Sequence, residues 1–65
     1  MPQNYRSLLE NQLPNSNIES IISVQEEVNN PEIKRIVFID ENDGRIEVIA
    51  SGNEVISFRK LGKGY

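Results

Sequence analysis

Few residues in this chain could do chemistry, and most of those are carboxylates. The run Asp40-Glu41-Asn42-Asp43-Gly44 has the outline of a calcium loop. An EF-hand loop takes Asp at its first position, Gly at its sixth and a bidentate Glu at its twelfth. With Gly44 set at the sixth, Ile39 and Ala50 fall at the first and last, and neither side chain can ligate. A tight turn accounts for the same residues. Gly62-Lys63 resembles the end of a phosphate-binding loop, but Gly64 follows where Ser or Thr is needed to meet magnesium.

Nucleophilic catalysis pairs Ser, Cys or Thr with a His or Lys base. The chain has no His and no Cys, and Thr is absent as well. Ser–Lys chemistry or a carboxylate pair is what remains. Asp40 and Glu47 could face each other across strands, but paired carboxylates need a cleft to separate their pKa values. A chain of 65 residues offers little room for one. No enzyme activity, catalytic residue, cofactor or metal site is expected. The missing Cys and His also remove disulfides and the two commonest zinc ligands as staples for so small a fold.

Charge is unevenly spread. Residues 1–58 hold four basic and ten acidic side chains, whereas Arg59, Lys60 and Lys63 make the end of the chain basic. An acidic body repels a phosphate backbone, so nucleic acid is disfavoured as a partner. Glu41, Asp43, Glu47 and Glu54 form a candidate acidic patch around two adjacent turns. That patch carries the alternative function, a small acidic inhibitor or nucleic-acid mimic filling a basic groove on a nucleic-acid-handling protein.

The elements that would position these groups follow from periodicity. Tyr5, Leu8, Leu9 and Leu13 share one helical face, so a helix is predicted over Asn4–Leu13, with Asn4 as N-cap and Pro14 as its stop. Residues 18–28 read two ways. As a helix, Ser16 and Glu19 form a capping box and Ile18, Ile21, Ile22, Gln25 and Val28 line one face. As a strand, they return through a turn at Asn29–Glu32 and set Glu27 opposite Lys34 and Glu26 opposite Arg35. The helix is the preferred reading.

From Lys34 to Lys60 a three-stranded antiparallel meander is predicted. A loop at Glu41–Gly44, with Gly44 left-handed, closes at Glu41 opposite Arg45 and sets Phe38 opposite Val48, Ile36 opposite Ala50 and Val37 opposite Ile49. A loop at Ser51-Gly52-Asn53, where Asn53 can tolerate a positive φ, closes at Ala50 opposite Glu54. One face then holds Ile36, Phe38, Ile46, Val48, Ala50, Ile56 and Phe58. A two-residue loop at Gly52-Asn53 would swap the last strand's faces.

The other face carries Val37, Ile39, Ile49 and Val55 in its middle, more aliphatic surface than a wet sheet face normally shows. These four are the candidate protein interface. The expectation is one α+β domain over residues 1–65: N-terminal helical segments on a three-stranded meander or, alternatively, one helix on a four-stranded one. Residues 62–65 read as a flexible tail. The expected function is a non-enzymatic protein-binding module, regulator or adaptor, acting through an apolar sheet face or an edge strand, with a protein partner or self-association as a homodimer. No apolar run approaches the ~20 residues of a membrane span, and the polar opening MPQNYRS is not expected to act as a signal peptide. With no Cys, a cytoplasmic location is expected.

Overall fold

The computed structural model describes residues 5–62. In chain order it has α1 (Tyr5–Gln12), β1 (Ile18–Glu26), β2 (Ile33–Asp40), β3 (Gly44–Ser51) and β4 (Glu54–Gly62). The strands form one antiparallel sheet in the order β1-β2-β3-β4, with α1 on one face. The α+β class holds, in its form with one helix and four strands.

α1 forms where apolar periodicity predicted it. Leu8 and Leu9 are buried, and Tyr5 and Leu13 pack against the core. The amide of Leu13 still reaches the Leu9 carbonyl at 2.8 Å. Pro14, with no N–H and a ring that disfavours helix before it, ends the run. An eight-residue helix is not stable in isolation, and its side chains tie it down at both ends. Near its start Arg6 donates through Nη2 to the Ile18 carbonyl (2.7 Å), and at its end Gln12 Oε1 accepts from the Val55 amide (3.3 Å). The helix therefore bridges the first and last strands. The expected cap Asn4 lies outside the described residues, as does the tail beyond Gly62.

The inner strands keep strict alternation. Ile36, Phe38 and Asp40 of β2 and Ile46, Val48 and Ala50 of β3 are all buried on the helix side. Their pairing corrects the predicted register. Phe38 lies opposite Ile46, Ile36 opposite Val48 and Val37 opposite Glu47, and the hairpin closes at Asp40 opposite Gly44. The cause is Asp40, whose Oδ1 accepts the amides of Asn42 (2.8 Å) and Asp43 (3.0 Å) and so draws Asp40 into the turn. The correction slips the pairing by two residues, so no side chain changes face. Gly44 does take positive φ, +83°.

The outer strands are built differently. Segment 18–28 is extended, and the preferred helical reading is overturned. Ile18 pairs with Asp40, Ile21 with Phe38 and Val24 with Ile36, with a register shift within each interval. Two bulges, each inserting one residue into β1, bring every third side chain to the core side. This spacing of three is also what a helical face shows. Ile and Val favour the strand, and β1 supplies the hydrogen-bonding partner that the outer edge of β2 would otherwise lack. Glu26 lies opposite Lys34, with Lys34 Nζ 3.3 Å from its carboxylate, one residue from the predicted pairing.

β4 follows the same plan. The second hairpin has the two-residue loop Gly52-Asn53, closing at Ser51 opposite Glu54 rather than at Ala50. Gly52, not Asn53, takes positive φ (+61°), as the first central residue of a type II′ turn requires. Val55 then pairs with Ala50, on the core side. A bulge leaves Ile56 unmatched, and Phe58 pairs with Val48, back on the core side. Ile56 and Phe58, both predicted core residues, are 54% and 53% exposed. One is the inserted residue of a bulge; the other lies on the edge strand, at the sheet's margin.

Candidate functional site

The candidate interface residues separate. Val37, Ile39 and Ile49 share the face away from the helix, where each is half-buried. Val55 leaves them, turned by the two-residue loop toward Ala50 and the core. The remaining three are flanked by charge. Glu47 lies between Arg59 Nε (2.9 Å) and Arg35 Nε (3.6 Å), and Arg35 also approaches Glu27 at 3.8 Å. This ladder runs from the residue after β1 across β2 and β3 to β4.

The acidic candidates separate as well. Glu41 and Asp43 sit in the β2–β3 loop, and Glu54 sits at the opposite end of β3 beside the β3–β4 loop. Consecutive turns of a meander lie at opposite ends of the shared strand, some 20–25 Å apart for eight residues. Three of the four are already engaged: Glu41 accepts from Asn17 Nδ2 (2.7 Å), Asp43 meets Lys60 Nζ (3.5 Å), and Glu47 holds the two arginines.

Among the described residues, Asp40 is the one buried charged side chain. Burial opposes its ionisation. The backbone amides of Asn17, Asn42 and Asp43, with the positive charge of Lys60, outweigh that and hold its carboxyl below the usual carboxylate range. Both oxygens are used, Oδ2 taking the Asn17 amide at 2.9 Å. Asp40 thus joins the segment before β1 to the β2–β3 turn. Its satisfied geometry is that of a structural clamp rather than of an acid or base poised for a substrate. Sequence reasoning missed it, although an Asp opening a D-x-x-D-G turn is the available signal.

Exposed apolar side chains lie on both edges of the sheet: Ile22 and Val24 on β1, with Val28 just after it, and a second group on β4, where a groove adjoins them. Ile56, Phe58 and Leu61 (43% exposed) all belong to this edge strand. An open groove runs between the strand and the end of α1, lined by Gln12, Leu13 and residues Val55–Phe58. It lacks the enclosing walls with which small-molecule sites bury their ligands. The outer side of β4 has no strand on it among the described residues. Its unpaired amide and carbonyl groups can accept another strand, and the groove beside them can take that strand's side chains. No described helix is long and apolar enough to cross a membrane. Comparison with protein-family models, with curated proteins and with solved structures found no match to this chain.

Proposed function

We propose that this chain is a non-enzymatic protein-binding module, a small regulator or adaptor, that docks an extended segment of protein along the outer edge of β4. One observation carries the reading: β4 combines an outer edge with no strand on it among the described residues, exposed Ile56, Phe58 and Leu61, and an adjoining open groove lined in part by Leu13, Val55 and Phe58. Backbone pairing would supply affinity, and the groove at Leu13, Val55 and Phe58 would supply selectivity. The docking surface is thus the edge-strand form of the expected function rather than the face of Val37, Ile39 and Ile49, where charged side chains intervene. The cysteine-free composition fits a cytoplasmic setting.

The test is a photoreactive phenylalanine analogue at position 58, with the same analogue at Val24 on the opposite edge as control, in a lysate of the native host. A discrete protein adduct formed at 58 alone is expected. Its yield should be indifferent to salt, as an apolar contact requires. Unlabelled wild-type protein should suppress it by competition, whereas unlabelled Phe58→Lys should not. Equal labelling from both positions, or equal competition by the variant, would remove the assignment.

A further inference from the structure

We infer that the occupant of the β4 edge is a second copy of this chain, whose own β4 runs antiparallel across a two-fold axis at Phe58. The inference rests on the docking reading above and names its partner.

Charge along the two edge strands selects this arrangement. β1 carries Glu19 near its start and Glu26 at its end, with no base between them. An antiparallel copy of β1 would oppose acid to acid at both ends. Setting β1 of one molecule against β4 of the next would bring Glu26 to the end that carries Glu54. β4 begins at Glu54 and carries Arg59 and Lys60 toward its other end. Two antiparallel copies of β4 therefore bring Glu54 of each to the end of the other that carries Arg59 and Lys60. Among the three pairings of the two edges, this is the one with no like-charged end, and like charges directly opposite destabilise a strand pair.

The register follows from the bulges. Register shifts isolate Ile56 and Leu61 and leave Ser57–Lys60 as the regular run. Centring the axis on Phe58 puts that ring against its own copy and Ser57 opposite the second copy's Arg59. Centring it one residue later would set the two Arg59 guanidinium groups against each other. With the axis perpendicular to the sheet, both copies of α1 lie on the same side, so the two open grooves join over the Phe58 pair and exclude water from it. Gln12, already holding the Val55 amide, marks where pairing stops. The contact is isologous and closes at two copies, whereas a β1-to-β4 contact would propagate into a filament.

Sedimentation equilibrium on the full chain should give twice the 7.4 kDa of one copy. Phe58→Lys and Phe58→Glu should each be monomeric with unchanged far-UV circular dichroism, since like charges then meet at the axis. Their equimolar mixture should regain the dimer, seen by native mass spectrometry as one copy of each. A second readout does not require those variants to fold. Because the chain has no cysteine, Phe58→Cys should oxidise to a disulfide-linked dimer under mild conditions that leave Val24→Cys reduced.

A wild type that stays at single mass at every concentration overturns the inference, as does a dimer that persists in both charged variants. The cross-link at position 58 separates the two proposals: an adduct with a different protein on a monomeric wild type sinks self-pairing and keeps docking. A monomer with no adduct sinks both.

Discussion

The inner and outer strands of this sheet solve the same packing problem with different spacings. β2 and β3 send every second residue to the core, and Ile36, Phe38, Val48 and Ala50 are completely buried there. β1, and β4 from Val55 to Phe58, send every third, through bulges that insert Glu19 and Ile22 in β1 and Ile56 in β4. A central strand is bonded on both sides, so an extra residue would disturb two ladders. An edge strand disturbs only one, and bulges accumulate where pairing ends. The difference shows in burial: Val24 and Phe58, the margins of the row whose centre is Ile36 and Val48, are 38% and 53% exposed.

Two phenylalanines put the contrast to direct measurement. Phe38→Ala removes a fully buried side chain from an inner strand and should cost about 3–5 kcal/mol in urea denaturation. Phe58→Ala removes the same side chain from an edge and should cost about 1 kcal/mol in the monomer. Equal losses would erase the distinction between the two kinds of strand.

Asp40 sharpens it from another side. Asp40→Ala strands the amides of Asn17, Asn42 and Asp43 and should cost about 2–4 kcal/mol, since each unsatisfied buried donor costs roughly 1–3 kcal/mol and these are partly wet. Because Asn17 leads directly into β1, amide exchange should rise in β1 before β4. Acid should mimic the substitution. A carboxyl whose folded pKa is depressed contributes stability above its unfolded value, ~3.9, and loses it as pH falls through the folded one. Stability should therefore decline below about pH 4, and the decline attributable to this group should vanish in Asp40→Ala.

The smallest of the hairpin effects belongs to Gly52. A methyl group there meets nothing within 4 Å, so Gly52→Ala isolates the backbone cost of φ +61°. About 1–3 kcal/mol is expected for a side chain in so sparsely populated a backbone conformation, with exchange rising in β4 while β1 keeps its protection. An unchanged β4 would mean that the turn does not hold that edge.

The same contrast explains what could be read from the amino-acid order. The faces of β2 and β3 were legible because alternation survives even a two-residue slip, as happened when Asp40 joined the turn. Ile18, Ile21 and Val24 were misleading, because a twice-bulged strand and a helix both place apolar residues three apart. The choice was made by long-range facts, the open edge of β2 and the pairing of Glu26 with Lys34. Val55, assigned to the outer face, and Ile56, assigned to the core, failed together on one loop residue and one bulge, whereas Phe58 kept its predicted side and lost its burial at the sheet's margin. Grouping Glu41 and Asp43 with Glu54 failed for a simpler reason: nearness in sequence across a strand is distance in space.

The hydrogen bond from Val55 to Gln12 spans 43 positions of sequence, although sheet order follows chain order throughout. Each hairpin can thus zip onto its predecessor through short loops, the kind of topology that folds quickly. Docking of α1 is the long-range closure, and it joins the first strand to the last. It should therefore come late in folding, so that the sheet forms first with its helix-side face bare and the helix acts as the latch.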